Sequence, residues 1–150
     1  MDQPSTQFTP PNAFDRFVNR AFGFLVKIGL GLSHNYLLEV RGRKSGRIFS
    51  TPVNVLELAG KRYLVAPRGY TQWVKNVLAG CDASLTRGRH REHLHLQAIP
   101  DGEKPAILKA YLDNYKLTVQ RYFPTPAGSP VEAFQPLVER YPVFQILPVP

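Results

Sequence analysis

The sequence predicts an α+β domain, a small antiparallel β-barrel with an N-terminal helix and further helices flanking it. Three observations predict it. Strand-like segments in the middle of the chain follow one another through short glycine-bearing turns, which join antiparallel neighbours rather than βαβ units. After Asp101 the apolar period changes to that of a helix. The 150 residues suffice for one core and not for two comfortable ones, so residues 12–150 are expected to form a single domain.

Residues 1–11 are polar and proline-bearing and are expected to be a mobile arm. Asn12 then offers an N-cap, with Asp15 in the first turn, where the helix dipole favours an acid. Phe14, Phe17, Val18, Ala21, Leu25 and Ile28 recur at helical spacing until Gly29 and Gly31. Such a helix can cap the core. With Arg16, Arg20 and Lys27 off its apolar stripe, it can also rest on an anionic membrane surface.

Strands are expected over Tyr36 to Arg41, Arg47 to Leu58, Arg62 to Pro67, Leu85 to Arg87 and His93 to Ile99, with turns at Gly60-Lys61 and Gly88-Arg89. Thr71 is expected to cap a short helix ending at Gly80. Ile107, Leu108, Tyr111, Leu112, Tyr115, Val119 and Tyr122 mark a long late helix, broken by Pro124 and Pro126. Ser129-Pro130-Val131-Glu132 reads as a capping box opening another helix, which Pro136 should soon interrupt. Val143 to Leu147 completes the sheet.

At 43% hydrophobic and 20% charged residues, the composition is that of a globular domain. No run of about 18 apolar residues offers a membrane span, and the polar N-terminus does not read as a signal peptide. A single cysteine, Cys81, excludes an internal disulfide, reads as a buried small hydrophobe and fits a cytoplasmic setting.

The formal charge of +8 is concentrated. Arg41, Arg43, Lys44 and Arg47 form one basic tip, and Arg87, Arg89 and Arg91 a second, neither segment holding an acid. The remaining 12 Lys and Arg nearly balance the 11 acids. Two discrete tips suggest a local anionic ligand rather than a broad nucleic-acid face, and no specific nucleic acid is expected.

Familiar catalytic sets are missing from the sequence. His93 and His95 share one strand face, as in a metal-binding H-x-H pair, but lack an obvious third ligand beyond His90 or Glu92. A solvated outer face explains them, and no metal is expected.

Phosphate-binding and stacking parts are present instead. In RGRKSGR, residues 41–47, the glycines let backbone N–H groups converge on an anion, while Arg43, Lys44 and Ser45 add charge and a hydroxyl. APRG, Ala66 to Gly69, carries Arg68 into a second turn, whose following helix opens an anion-favouring N-terminus. On that helix Trp73 and Asn76 share a face. Taken alone, the same residues also read as a core tryptophan beside solvated cations.

GRKSGRIFSTPV (Gly42 to Val53), VAPRG (Val65 to Gly69) and QWVKNVLAG (Gln72 to Gly80) together resemble the deazaflavin-dependent nitroreductase and quinone reductase family. The resemblance covers about residues 37–99, with similarity again in PAILKAYL and RYPVFQIL. It implies a split β-barrel related to FMN-binding barrels and an oxidoreductase of mainly actinobacterial type. Its cofactor would be coenzyme F420, an 8-hydroxy-5-deazaflavin with a phosphodiester and oligoglutamate tail, or FMN as the alternative.

By the resemblance, Arg43, Lys44 and Ser45 would hold the tail. Thr51, Pro52, Val53 and Asn54 would line the ring with strand backbone, Ala66, Pro67, Arg68 and Gly69 would meet the phosphate, and Trp73 and Asn76 would close the site. The family's S-K-G-G is Pro67-Arg68-Gly69-Tyr70 here and its W-Y is Trp73-Val74, as in a branch that takes fatty-acid or quinone-type ligands. Hydride would pass to a small electron-poor acceptor (a quinone, a nitro compound or an unsaturated lipid), with Tyr115 or Tyr122 as catalytic proton donor. The other readings are a non-enzymatic lipid or cofactor binder touching a membrane through residues 12–31, and a homodimer as the assembled form.

Overall fold

A computed structural model describes residues 35–80 and 82–149. The expected arm, the helix of residues 12–31 and Cys81 lie outside the described residues. Among the described residues seven strands run as β1 (Asn35–Arg41), β2 (Ile48–Asn54), β3 (Leu56–Leu58), β4 (Lys61–Val65), β5 (Ala83–Arg87), β6 (His90–Ala98) and β7 (Val143–Pro148). Helix α1 (Gln72–Leu78) lies between β4 and β5, and α2 (Lys104–Val119) between β6 and β7.

All pairings are antiparallel, in the order β2-β1-β5-β6-β7-β4-β3. The sheet curls until β2 approaches β4 without pairing to it, which leaves a barrel split along that seam. The fold is the expected α+β split barrel.

Period-two alternation assigns each strand's side chains to one of two cores. Leu38, Val40, Leu64, Leu85, Leu94, Leu96, Phe144 and Ile146 point inward and fill the barrel, with Val74 and Val77 of α1 packed on the same cluster. On β4 the neighbours of Leu64, Tyr63 and Val65, point outward and meet Ile107, Leu108, Tyr111 and Leu112 of α2. Phe123 stacks on Tyr141 in this second core, ring centroids 4.5 Å apart. Each fully buried side chain of this size stabilises the fold by about 2–3 kcal/mol relative to exposure.

Four local expectations differ from what is observed. The strand expected over Arg47 to Leu58 is broken at Val55, whose side chain turns into the barrel core. There the Tyr115 hydroxyl donates to the Val55 carbonyl at 3.1 Å, satisfying an acceptor that has left the ladder. Thr71 has the extended backbone of an N-cap, but its side chain makes no capping bond. The capping box at Ser129 does not form, because the Ser129 hydroxyl turns back to Pro126 O at 2.6 Å. The segment Val131–Arg140 is a 3-10 helix throughout, opened by Ala133 N–H donating to Pro130 O at 3.0 Å. Pro136, with no N–H, sits inside it rather than ending it.

No helix among the described residues is long and apolar enough to cross a membrane.

Candidate functional site

The turn between β1 and β2 is built rather than loose. Gly42 N–H donates to Arg47 O at 2.7 Å, Gly46 N–H to Gly42 O at 3.0 Å, and Arg47 N–H to Ser45 Oγ at 3.2 Å. Arg41 is committed to this frame: Nη1 donates to Gly46 O at 2.7 Å, and Nε lies 3.8 Å from Asp82. The turn leans on α1, where Arg43 N–H donates to Asn76 Oδ1 at 3.1 Å. The Arg43 Nη1 group donates to Asn76 Oδ1 at 2.8 Å and to Gln72 Oε1 at 3.1 Å.

The facing wall is the loop from β4 into α1. Ala66 N–H is tied to Pro142 O at 2.9 Å, Gly69 N–H to Ala66 O at 3.1 Å and Thr71 N–H to Gly69 O at 2.9 Å. Between these two turns opens a cleft of about 420 Å³, within the range of small-molecule sites. Trp73 on its wall packs its ring 5.8 Å from Phe144 of the barrel core, so one side chain serves both as core and as cleft surface. Phe49 forms another wall and stays half exposed.

Of the residues expected at the site, Arg43, Lys44, Ser45, Thr51, Arg68, Trp73 and Asn76 line this cleft. Pro52, Val53, Asn54, Ala66, Pro67 and Gly69 do not. Val53 and Ala66 belong to the barrel core, and Asn54 accepts a hydrogen bond from Asn35 Nδ2 and bonds Tyr111, whose hydroxyl burial pushes far above its usual range. Gly42, Phe49, Ser50, Thr71 and Gln72 line the cleft without having been assigned to it. Two signals pointed to them: Phe49 continues the inward alternation of Thr51 and Val53, and Gln72 precedes Asn76 by one helical turn.

Tyr115 and Tyr122 pack against the second core and are not among the lining residues. The Tyr115 hydroxyl is held on Val55 O, and burial raises its pKa above the ordinary tyrosine value. The Tyr122 hydroxyl accepts from Arg121 Nη2 at 2.7 Å.

The second basic tip lies at the other end of the barrel, since β5 runs antiparallel to β1 and carries its turn past Leu37. Two of its three arginines have partners from neighbouring strands. Arg87 Nη1 donates to Asn35 O at 2.7 Å, with its guanidinium 5.9 Å from the Tyr36 ring centre, and Arg91 lies 3.5 Å from Glu39. Alongside, Arg62 forms a forked pair with Glu92 at 3.1 and 2.7 Å. His93 Nδ1 lies 3.0 Å from Ser84 Oγ, and His95 is exposed. Among the described residues no group of three His, Cys, Asp or Glu is placed to hold a metal ion.

The cleft's chemistry follows from what lines it. Arg43, Lys44 and Arg68 supply positive charge, and among the described residues no acid lines the cleft. Arg68 Nε and Thr71 Oγ1 are buried with no hydrogen-bond partner among the described residues. A buried donor without an acceptor costs roughly 1–3 kcal/mol, so both are suited to acceptor oxygens of an incoming molecule. With the flat face of Trp73 beside them, the residues fit a ligand that joins an aromatic ring to an anionic tail.

A family profile described as F420H(2)-dependent quinone reductase matches residues 15–124. No curated protein sequence matches the chain significantly. Among solved structures, a protein of unknown function from Agrobacterium tumefaciens is 17% identical with a TM-score of 0.56. The match covers 92% of this chain and 58% of that one, so the chain spans little more than half the length of that neighbour. An F420-H2 dependent reductase is 20% identical with a TM-score of 0.51, over 76% of this chain and 94% of that one. A structure described as a domain-swapped dimer is 19% identical with a TM-score of 0.53, over 89% and 92%. At these identities the structures speak for the fold alone.

Proposed function

The chain belongs to the F420H(2)-dependent quinone reductase family, and from that premise we propose that its cleft binds reduced coenzyme F420 and passes a hydride to a small electron-poor acceptor. Quinones are the first acceptor class, with nitro compounds and unsaturated lipid-like molecules after them. The observation that carries the reading is a pair of buried donors without a partner among the described residues, Arg68 Nε and Thr71 Oγ1, in a cleft that Arg43 and Lys44 line and no described acid does.

When bound, the reduced deazaflavin supplies the hydride chemistry. The chain supplies binding, orientation and exclusion of water. Arg43, Lys44 and Ser45 meet the anionic tail at the β1–β2 turn, while Arg68 and Thr71 donate to its phosphate from the opposite wall. Trp73 offers its face to the ring, and Phe49 shields the mouth. The hydroxyl-bearing residues that line the cleft are Ser45, Ser50, Thr51 and Thr71.

Fluorescence quenching of oxidised coenzyme F420 by the purified chain tests the binding, and turnover of reduced coenzyme with a panel of quinones tests the reaction. Lys44→Ala and Trp73→Ala should each weaken binding about tenfold, as removal of one charge-assisted hydrogen bond or one stacking face does. Absence of any quenching by the unaltered chain overturns the reading, and retention of FMN in preference to the deazaflavin overturns the cofactor. The mass of the same preparation in solution tests the homodimer.

A further inference from the structure

Asn76 is 3% exposed yet belongs to the cleft lining. Its amide oxygen accepts twice from one residue, from the Arg43 backbone N–H and from Arg43 Nη1. An amide oxygen has two lone pairs, and both are taken. Gln72, one helical turn earlier, accepts from Nη1 as well. The held edge of a planar guanidinium sets the direction of its other edge. Nε and Nη2 of Arg43 are left without a partner among the described residues, at the cleft.

We infer that Asn76 is a positioning residue: its amide oxygen acts through Arg43, clamping the β1–β2 turn onto α1 and aiming the free guanidinium edge into the cleft, with no lone pair left for the ligand. Only the ligand's identity rests on the function proposed above. The clamp is made entirely of the chain's own groups and uses no ligand atom. Binding therefore need not order a long, rotamer-rich side chain, a loss that otherwise lowers affinity. Gln72 supports the same Nη1 from the exposed side of the helix.

The experiment combines Asn76→Ala, Arg43→Ala and their double variant, read by amide hydrogen exchange of residues 42–47 and by affinity for oxidised coenzyme F420. Asn76→Ala should speed exchange of the Arg43 amide at least tenfold, because it removes that N–H group's acceptor. Arg43→Ala keeps the backbone bond and should leave the exchange slow. Each single variant should lose about tenfold in affinity, and the double variant no more than Arg43→Ala alone. Asn76→Asp restores an acceptor oxygen and should restore slow exchange.

Losses that multiply to about a hundredfold in the double variant would place Asn76 on the ligand and overturn the inference. Unchanged exchange in Asn76→Ala would overturn it too. Gln72 is exposed, so Gln72→Ala keeps the test open if Asn76→Ala does not fold. It should cost about twofold in affinity, and nothing where Arg43 is already alanine; a loss persisting there overturns the inference. If the unaltered chain does not bind the coenzyme, the proposed function fails, while the exchange arm still decides the clamp.

Discussion

The two ends of the barrel carry the same three letters, Arg41-Gly42-Arg43 and Arg87-Gly88-Arg89, and put them to opposite use. At the far end, arginines find partners on the strands beside them. Arg91 meets Glu39, Arg87 meets the Asn35 carbonyl and the Tyr36 ring, and Arg62 grips Glu92 through both nitrogens. At the cleft end Arg41 is absorbed by the turn, but Arg43 and Lys44 line a space that no acid among the described residues lines. Cation count does not distinguish the two ends. The carboxylates that strand pairing delivers do: Glu39 of β1 reaches the second tip, and no comparable acid among the described residues reaches the cleft. Paired charge closes a barrel, and unpaired charge beside buried orphan donors keeps a place for an anion.

The largest effect should follow from emptying the cleft end of its cations. Arg43→Ala with Lys44→Ala should weaken coenzyme F420 binding about a hundredfold, roughly tenfold for each charge-assisted hydrogen bond removed. Arg89→Ala, at the tip of the far end, should leave it unchanged. Titrations at two salt concentrations check both, because the affinity that remains in the double variant should depend less on salt. Equal losses from both ends would collapse the distinction between them.

Much of this architecture is legible in the sequence. Alternation and glycine turns mark six of the strands in place, because each pattern is local and its burial follows directly. The break at Val55 is not legible, since its hydrogen-bond donor, Tyr115, lies 60 residues further along the chain. The same holds for the pairing of the second tip, which reads as bare cation until strand register brings Glu39 beside Arg91. At the site, Arg43, Lys44, Arg68 and Trp73 are recognisable by chemistry. Phe49 shows only through the alternation it shares with Thr51 and Val53, and Thr71 not at all, because a candidate helix cap carries no mark of a cleft until the curl of the sheet brings it there. The Asn54 side chain is hidden for a related reason: it points to the α2 core, where Tyr111 takes it up.

A smaller effect should come from the far end. Glu92→Gln removes the acceptor fork of Arg62 and should lower stability by about 1 kcal/mol, given that the pair is partly exposed, or about 2–4 °C in Tm. The Arg62 hydrogen bond holds the Glu92 carboxyl below its ordinary value of 4.5, against an opposing effect of burial. A depressed native pKa means the pair's contribution is complete above about pH 4.5 and fades as the pH falls through the lower native value. Thermal melts at pH 7 and pH 3 should therefore show the unaltered chain and Glu92→Gln converging in acid. Coenzyme affinity at pH 7 should be the same in both.

The finest test exchanges the two glycines in turn. A Cβ on Gly42 would lie 2.7 Å from Phe49 Cε2, 3.2 Å from Ser45 Oγ and 3.3 Å from Arg47 O. The phenyl ring is 51% exposed and can swing aside, so Gly42→Ala should cost stability only about 0.5 kcal/mol. The displaced ring is a wall of the cleft, so kcat/KM for an apolar quinone should shift about threefold while coenzyme affinity holds. Gly88 sits at φ 59°, where a Cβ is strained whatever the space, so Gly88→Ala should cost about 1 kcal/mol and leave turnover alone. Melts and steady-state kinetics on the two variants separate a glycine needed for close approach at a working cleft from one needed for backbone conformation at a closed end. A drop in Tm for Gly42→Ala as large as that for Gly88→Ala would mean that the turn yields rather than the ring, and that both ends use glycine for the same purpose.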